Sequence, residues 1–283
     1  MKSKPLRVAF QGERGAHSEE AARLMLGENI RLVPRPTFDS LFGAIADRSA
    51  EYILAPVENS IAGSVQRVYD LLAASSLLIV GEMIHRIAHH LIGARNSSLR
   101  TIRSVESHPV ALAQCERFLA AHPELKRIAT DDTAGSAREV ISSNDSTRAA
   151  IAGSFAAALY GGKILRRHVE DHPENYTRFL MLAARGEPLR RADKLSILFL
   201  LKHQPGSLSK ALAPLARHNF NLLKIESRPL PGRPWEYCFY LDAQTPPNAV
   251  GLEKALRELK SCTRGLRILG HYARANTARR AAK

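Results

Sequence analysis

Small residues and hydroxyl groups cluster at five places in this chain where a short apolar run gives way to a helix-like segment. The five junctions are residues 11–18, 56–64, 107–109, 131–136 and 153–154. Ordinary N-capping explains any one of them, because Ser, Thr, Asp and Gly are favoured at helix starts. Five together indicate more, since helix N-termini attract anions and ligands of open α/β sheets bind at the carboxyl ends of the strands. The sequence therefore predicts a polar cleft that accepts an anion.

Alternating strands and helices between residues 6 and 183 would position these junctions. The predicted strands are Leu6–Phe10, Tyr52–Ala55, Leu77–Gly81, Ile84–Gly93, Ile128–Thr130, Ala149–Ala152 and Arg178–Ala183. The predicted helices are Ser18–Leu26, Asp39–Asp47, Val65–Ala73, Val110–Ala121, Ala134–Ile141 and Phe155–Tyr160. This alternation is typical of an α/β layer with a largely parallel sheet. Residues 77–93 break it, so we expect two lobes around a cleft, with the chain crossing near residue 81 and returning near residue 170.

A different order of elements follows a polar stretch at residues 185–193, which has the composition of a linker. Residues 194–272 are predicted to form a strand, a helix from Pro205, a hairpin, a second helix and a final strand. The hairpin turns at residues 231–234. This βαββαβ order is that of the ferredoxin-like split unit. It carries no active-site constellation, so we expect it to bind a ligand or to regulate.

The composition fits two domains, with 283 residues and 45% hydrophobic content. The net charge of +14, from 41 Lys and Arg against 27 Asp and Glu, is spread along the chain. Only the tail at residues 273–283 is densely basic, and we expect it to be disordered. No zinc-finger spacing or RNA-recognition motif accompanies the charge, and no apolar run approaches the roughly 20 residues of a membrane-spanning helix. The sequence thus favours neither nucleic acid nor a membrane as a partner.

The sequence gives no sign of a cofactor or metal. None of the junction loops is a P-loop or a dinucleotide fingerprint. His89 and His90 lie on a predicted strand without carboxylates nearby, and Cys115, Cys238 and Cys262 match no metal spacing. Scattered thiols in odd number are typical of a reducing compartment. We therefore expect a cytoplasmic protein without metal or cofactor.

Over nearly all of residues 6–272, the chain resembles the prephenate dehydratase family, which includes plant relatives that act on arogenate. The matching segments are Val8–Gly12 with Gly15–Glu19, Pro56–Ser60 with Gly63, Ser107–Pro109 with Ala111–Cys115, Asp132–Ala134, and Asn175–Phe179. The C-terminal part resembles the family's ACT domain through Pro205–Ser209 and Lys224–Pro229. The resemblance implies a two-lobed catalytic domain at residues 1–185, similar to periplasmic binding proteins, and an ACT domain at residues 194–272.

The reaction that the resemblance implies is the decarboxylating dehydration of prephenate to phenylpyruvate in phenylalanine biosynthesis. The departing hydroxyl needs help, and the family places Thr177 beside it. Because an alcohol is a weak acid, we interpret Thr177 as donating a hydrogen bond to the leaving oxygen. Arg178 is expected to bind a substrate carboxylate through its guanidinium. Adjacent strand residues face opposite sides, so the two side chains can share a ligand only at a strand start or bend.

Further site residues come from the other matching motifs. Glu58, Asn59 and Ser60 complete the expected catalytic group. The amide and hydroxyl would bond substrate oxygens or cap a helix, and Glu58 would orient them or pair with Arg178. The expected substrate-binding residues are Ser18, Thr133, Ala134 and Phe179. His108 is interpreted as structural, and position 110, where Val replaces the Gln usual in the family, is left outside the site.

The resemblance also implies that L-phenylalanine binds between the ACT domains of paired subunits and inhibits the enzyme. The expected effector residues are Gly206, Ser207, Leu208, Ser209, Glu226, Ser227 and Arg228. Pairing of ACT domains suggests a homodimer or a homotetramer.

Two other functions stay open on the sequence. Arogenate dehydratase performs the same chemistry on a substrate with an amino group in place of the side-chain ketone. A non-catalytic amino-acid sensor would join a two-lobed binding fold to a ligand domain, although intact Thr177 and Arg178 argue against it. Formation of phenylpyruvate from prephenate distinguishes the enzyme from the sensor.

Overall fold

The computed structural model describes residues 4–186, 192–230, 232–247 and 250–275. The chain divides into two compact units. The first contains residues up to 69 together with 83–179, and the second contains 70–82 together with the chain from 180 onward. The expected disordered tail lies outside the described residues from position 276. No helix among the described residues is long and apolar enough to cross a membrane.

One six-stranded sheet contains most of the motifs at residues 8–12, 56–60 and 175–179. Its order is β2-β1-β3-β11-β5, with β4 paired to β3, and β1 runs parallel to both β2 and β3. Its strands are β1 (Leu6–Gln11), β2 (Ile30–Arg35), β3 (Tyr52–Asn59), β4 (Gly63–Ser64), β5 (Leu78–Arg86) and β11 (Tyr176–Ala183). Its helices are α1 (His17–Leu26), α2 (Phe38–Ala46) and α3 (Gln66–Ala74).

A second sheet of the first unit has the order β10-β6-β9-β7-β8. Its strands are β6 (His90–Gly93), β7 (Ser104–Ser107), β8 (Lys126–Ala129), β9 (Arg148–Ala152) and β10 (Lys163–Arg166). Its helices are α4 (Pro109–Ala113), α5 (Glu116–Ala120), α6 (Thr133–Ser143) and α7 (Ser154–Tyr160). Parallel pairs β7–β8 and β7–β9 adjoin the antiparallel pairs β6–β9 and β6–β10. The predicted two-lobed α/β class is confirmed.

Some predicted boundaries were wrong for identifiable reasons. A single strand, β5, runs through residue 81, so the chain crosses between sheets at residues 87–89 rather than near 81. The predicted strand 84–93 is therefore two strands in two sheets. The predicted helix 110–121 breaks at Cys115, whose backbone is not helical. Edge strands β2 and β10 were missed, and in β2 the cause is Pro34, which a strand tolerates at an edge.

The second unit contains the predicted βαββαβ order. Its antiparallel sheet has the order β13-β14-β12-β15, which places the first strand of the unit between the third and the fourth. Apolar residues of α8 and α9 pack with the sheet around Phe199, Leu215 and Leu241. The elements are β12 (Lys194–Leu200), α8 (Ser207–Arg217), β13 (Asn221–Leu230), β14 (Arg233–Gln244), α9 (Leu252–Ser261) and β15 (Gly265–Tyr272).

Residues 70–82 belong to this unit because buried polar groups hold them there. The Arg267 guanidinium donates to the carbonyl oxygens of Leu72, Ala73 and Ser75, at the C-terminal end of α3. A cation at a helix C-terminus is favoured by the helix dipole. Lys194 Nζ lies 2.7 Å from Glu82 Oε2, and both side chains are at least nine-tenths buried.

Glu82→Gln tests how much this buried pair contributes. The substitution leaves the buried Lys194 ammonium with one carboxylate partner, Asp242 at 3.6 Å, so we expect the free energy of unfolding to fall by up to roughly 3–5 kcal/mol in urea titration. The control is Glu116→Gln, which breaks the exposed pair with Arg127, a contact of 2.8 Å. This substitution should lower the free energy of unfolding by at most about 1 kcal/mol. Equal losses for the two variants would contradict the expectation.

Candidate active site

The predicted junctions meet at one cavity of the first unit, with a volume of about 480 Å³. Four of the five contribute to its wall: residues 11 and 16–18, residues 56, 59 and 62–64, residue 108, and residues 131–133. The fifth, at Gly153, lies behind His17, where an added Cβ would be 2.8 Å from the His17 ring. The cavity thus collects strand ends and helix starts from both sheets.

Thr177 lies in this cavity with its side chain held from one side. It is 8% exposed and lies on β11, beside the end of β3. Asn59 Nδ2 donates to Thr177 Oγ1 at 3.0 Å and to Asn175 Oδ1 at 2.7 Å. Because Oγ1 accepts from Asn59, the Thr177 hydroxyl hydrogen points elsewhere, and no acceptor for it occurs among the described residues. The hydroxyl is a donor available to a ligand.

Gln114 and Asn175 extend this arrangement toward His89. Asn175 is fully buried and donates from Nδ2 to Gln114 Oε1 at 2.9 Å. The same Gln114 oxygen lies 3.0 Å from His89 Nε2. Since that oxygen can only accept, Nε2 must carry the hydrogen, which leaves His89 Nδ1 as an acceptor in the neutral ring. A continuous hydrogen-bonded chain therefore runs from Thr177 through Asn59, Asn175 and Gln114 to His89.

His89 stays neutral at physiological pH. Burial, reinforced by the neighbouring His17, lowers the pKa of His89 to about 4. The lining, all within the described residues, includes no Lys or Arg, and its only basic side chains are His17, His89 and His108. An anion entering this cavity must be held mainly by neutral donors.

Two helix N-termini supply such donors. The start of α1 borders the cavity at residues 16–18, and no side chain caps it. The start of α6 borders it at Thr133, with Asp132 accepting from Gly135 N at 2.7 Å. The first N–H groups of a helix have no partner within it and attract negative charge. Of the expected substrate-binding residues at these helix starts, Ser18 and Thr133 border the cavity, whereas Ala134 is buried and does not.

Arg178 and Glu58 lie on the other face of the sheet, which corrects the expected shared site. Thr177 and Phe179 line the cavity, and the intervening Arg178 does not. Its Nε lies 3.4 Å from Glu58 Oε2, and its guanidinium donates to the Tyr69 hydroxyl at 3.4 Å. The reason is strand alternation, because β11 is already regular at Thr177 and has no bend there.

Ser60 is also outside the cavity wall. Its Oγ accepts from Tyr176 N at 2.9 Å and donates to the Glu174 carbonyl at 3.1 Å. These bonds tie the end of β3 to the start of β11. Ser60 therefore stabilises the strands behind the site and does not line the cavity.

Three side chains at the cavity escaped the sequence analysis, of which Gln114 and His89 line it and Asn175 is buried behind the wall. Gln114 and Asn175 stood in matching motifs but had no assigned role, and His89 was judged only by its lack of carboxylate neighbours. Val110 also borders the cavity, although position 110 was left out. His108 lines it as well, and its Nδ1 accepts from Val110 N at 3.2 Å, which makes it the N-cap of α4. One signal in the sequence could have found them, because the motif at residues 107–115 begins where a strand ends, which is where ligands bind.

The expected effector residues fall on two elements of the second unit. Gly206 precedes α8 and has a φ of 78°, a conformation that favours glycine. Ser207 and Leu208 border a second cavity of about 130 Å³, and Ser209 follows them on α8. Glu226, Ser227 and Arg228 lie on the edge strand β13 and do not border that cavity. One chain does not bring the two motifs to a common cavity among its described residues.

The fold and cavity define a two-lobed α/β domain with an anion-accepting site, joined to a ferredoxin-like domain. Residues 8–187 match the family model for prephenate dehydratase, and residues 195–261 match that for the ACT domain. The chain therefore belongs to the prephenate dehydratase family and carries an ACT domain.

Individual proteins agree with this assignment. Arogenate dehydratase/prephenate dehydratase 2, chloroplastic, from Arabidopsis thaliana is 41% identical, over 94% of this chain and 72% of its own length. A crystal structure of prephenate dehydratase in complex with L-Phe from Arthrobacter aurescens is 29% identical, with a TM-score of 0.86 over 95% of this chain and 90% of that one. A structure described as GqqA, a novel type of quorum quenching acylase, is 36% identical, with a TM-score of 0.86 over 97% of this chain and all of that one.

His89 makes the stability of the fold sensitive to acid. Its pKa of about 4 in the folded state lies below the ordinary value of 6.5, so the unfolded chain binds more protons between these values. The stabilisation is present above pH 6.5 and is lost as the pH falls toward 4. From pH 7.5 to pH 5 this one group should cost about 2 kcal/mol. His89→Asn, which keeps a donor for Gln114 but cannot titrate, should lose that much less in urea unfolding.

The matched control for this experiment is His122→Asn, which removes an imidazole from an exposed position paired with Glu124. An acid-induced loss in His89→Asn equal to that of the unsubstituted protein would show that His89 is not the responsible group.

Proposed function

We propose that this protein is a prephenate dehydratase, which converts prephenate to phenylpyruvate, carbon dioxide and water. The observation that carries the proposal is the buried Thr177, whose oxygen is occupied by Asn59 and whose hydrogen is available. Prephenate loses a carboxylate as carbon dioxide, and the electron pair left in the ring expels the opposite hydroxyl, which leaves as water after taking one proton. The Thr177 hydroxyl stabilises the negative charge that grows on that leaving oxygen.

The two carboxylates of prephenate would bind at the N-termini of α1 and α6. Both helix starts carry acidic side chains, Glu19 and Glu20 in the first turn of α1 and Asp132 at the N-cap of α6, and only the start of α1 lacks a side-chain cap. Ser18 and Thr133 add hydroxyl donors at these positions, and Phe179 gives the ring an apolar surface. Neutral donors suit a reaction in which one of the bound carboxylates must give up its charge and leave as carbon dioxide.

Glu58, Ser60 and Arg178 take positioning roles in this proposal rather than contact with substrate. Ser60 fixes the start of β11 against the end of β3. The contact of Glu58 with Arg178 lies on the far side of β11 from the cavity. Asn59 is the one member of that motif that reaches Thr177 directly.

Substitution of Thr177 tests the mechanism. Thr177→Val keeps the β-branched shape and removes the hydroxyl, so we expect kcat to fall about 10²–10³-fold in an assay of phenylpyruvate formation at neutral pH, with an enzyme-free control. Thr177→Ser keeps the donor and should retain most of the activity. Undiminished turnover in Thr177→Val would contradict the proposed mechanism. Absence of turnover in the unsubstituted protein would favour a non-catalytic sensor.

Arogenate dehydration is the second candidate, favoured by the 41% identity to a plant enzyme named for both substrates. The reaction at the ring is the same, and only the side chain differs. Comparison of kcat/KM for the two substrates decides between them. The same preparation can be assayed for acylase activity because of the similarity to GqqA.

We propose further that L-phenylalanine regulates the enzyme at paired ACT domains. The similar Arthrobacter aurescens structure is a complex with L-Phe. Strand β13 is a sheet edge and exposes the apolar side chains of Leu222, Leu223 and Ile225, which a second copy of the chain could cover. A homodimer or homotetramer would bring the motif at Gly206–Ser209 of one subunit to that at Glu226–Arg228 of another.

Helix α3 offers a route from the effector motif to the site. Arg228 donates to both carboxylate oxygens of Asp70, at 3.1 and 3.2 Å. The residue before Asp70 in α3 is Tyr69, whose hydroxyl accepts a hydrogen bond from Arg178. Arg178 is the neighbour of Thr177 in the sequence. An effector that moves Arg228 would therefore pull on the helix that contacts the back of the catalytic strand.

Asp70→Asn tests this route. The substitution removes the charge that holds Arg228, so we expect the phenylalanine concentration for half-inhibition to rise at least about 5-fold, which corresponds to about 1 kcal/mol of lost coupling. In the absence of phenylalanine, kcat should stay within about 2-fold of normal. Glu258→Gln is the control, since it breaks a comparable contact with Arg217 and His218 elsewhere in the same unit. Unchanged inhibition in Asp70→Asn would exclude the route.

A cytoplasmic location remains part of the proposal. The three cysteines form no disulfide, and Cys115 and Cys238 are buried. Fractionation of the source cells, with the dehydratase activity as the marker, tests it.

A further inference from the structure

Two histidines and a glutamate converge at the margin of the cavity. His17 and Glu20 lie one turn apart on α1, and His85 comes from β5. One nitrogen of each ring and one oxygen of the carboxylate lie within 4.8 Å of one another. Of the three, only His17 lines the cavity. His85 is too far from the other two in sequence for the three to form a recognisable metal motif.

The separations match those of ligands around one ion. His85 Nε2 lies 3.2 Å from Glu20 Oε2, and His17 Nδ1 lies 3.8 Å from the same oxygen. Ligands placed about 2.0–2.1 Å from a tetrahedral Zn²⁺ are roughly 3.3 Å apart. Both histidine–glutamate pairs are thus within about half an ångström of the required separation, and the two ring nitrogens lie within 4.8 Å of each other.

His17 and His85 both contact the Glu20 carboxylate, but their ring nitrogens are not well aligned for hydrogen bonds. His85 Nε2 and both nitrogens of His17 are buried, and none makes a hydrogen bond of good geometry to any described residue. The 3.2 Å contact of His85 is close enough for one, so its ring is misaligned with the carboxylate. His85 is itself 8% exposed. Buried polar atoms without partners are costly, and a shared cation at their centre would satisfy all three groups.

We propose that His17, Glu20 and His85 bind a divalent transition-metal ion of the Zn²⁺ type. Two imidazoles and one carboxylate form a donor set that suits zinc, with Co²⁺ or Ni²⁺ as weaker alternatives, and are poor ligands for Mg²⁺ or Ca²⁺. Three protein ligands leave a fourth position for water or another ligand. Gly153 keeps space beside the His17 ring, since a Cβ there would lie 2.8 Å from it.

The bound ion would also add positive charge beside the cavity. The lining described above has no Lys or Arg, and His17 belongs to both the cluster and the wall. If the protein is a prephenate dehydratase, as proposed, the ion strengthens binding of the dianionic substrate. This part rests on the proposed function, whereas the metal site does not.

Zinc binding tests the site without reference to activity. The purified full-length protein, stripped with chelator, is titrated with Zn²⁺ against a fluorescent zinc indicator, and its melting temperature is recorded with and without the metal. We expect one ion per chain with a Kd below about 1 μM, and a melting temperature roughly 5 °C higher at a hundredfold excess over Kd. Mg²⁺ at the same concentration should produce no shift.

Variants identify the ligands. His85→Gln and Glu20→Gln should each weaken zinc binding at least 10-fold, with circular dichroism and melting in chelator confirming that they fold. His122→Gln is the matched control, because His122 also lies 3.2 Å from a carboxylate but has no third ligand. It should bind zinc as the unsubstituted protein does. Absence of binding in the unsubstituted protein, or equal binding in His85→Gln, overturns the proposed site.

The charge effect has its own measurement. Zinc saturation should lower the KM for prephenate several-fold in the unsubstituted protein and leave KM unchanged in His85→Gln. A KM that does not respond in the unsubstituted protein overturns the charge effect. If neither sample turns over prephenate, the proposed dehydratase function fails, and the zinc titration still decides the metal site.

Discussion

The side chain of Asn59 is the interaction on which the site depends. Its amide nitrogen donates to Thr177 and Asn175, while its oxygen accepts from the backbone of Ile61 at 3.0 Å and of Ala62 at 2.8 Å. One planar group therefore fixes the turn after β3, the start of β11 and the rotamer of the proposed catalytic threonine. A glutamine would be too long to keep all of these bonds, and an aspartate would lose the donor that directs the Thr177 hydroxyl into the cavity. Preorganisation of the donor follows from this one contact.

Strand alternation then separates the two faces of β11. Thr177 and Phe179 reach the cavity, and Arg178 reaches Glu58 and Tyr69 on the other side. A motif of three consecutive residues thus serves two purposes. In the proposed mechanism, Thr177 and Phe179 face the cavity and contact substrate. Arg178 contacts Tyr69 of α3, and Arg228 binds the next residue of that helix, Asp70. This contact gives Arg178 a structural role without any contact to substrate.

Much of this arrangement was predictable from the sequence because it depends on local patterns. Apolar runs with hydroxyl-rich ends predicted β1, β3 and helix starts at Ser18 and Ala134, each one residue after the observed start of α1 or α6, and four of the five junctions do meet at one cavity. The resemblance predicted both domains by their motifs. Strand β2 was missed because Arg31, Pro34 and Arg35 hide an edge strand that needs little apolar content.

The errors within the site have one physical origin, which is that spacing does not give direction. Alternation of side chains along a strand predicts that Thr177 and Arg178 face opposite sides of β11, and the structure agrees. It does not agree with the expectation that Arg178 binds a substrate carboxylate beside Thr177. Gln114 contacts Asn175, which is 61 positions away in the sequence, and His89, which is 25 positions away. No local pattern links residues at such separations. The same holds for His17, Glu20 and His85, where only the fold brings β5 beside α1.

The electrostatics of the cavity differ from those of the whole chain. The net charge of +14 suggests an anionic partner, yet the described lining has no Lys or Arg, and burial keeps His89 neutral. Apart from the proposed zinc ion at the cavity margin, binding of a dianion relies on helix N-termini and hydroxyls, and the net charge acts only at long range, where salt screens it. This division suits a decarboxylation. A lysine or arginine paired tightly with the departing carboxylate would stabilise the ground state, in which the charge is present, more than the transition state, in which the charge is moving into the ring.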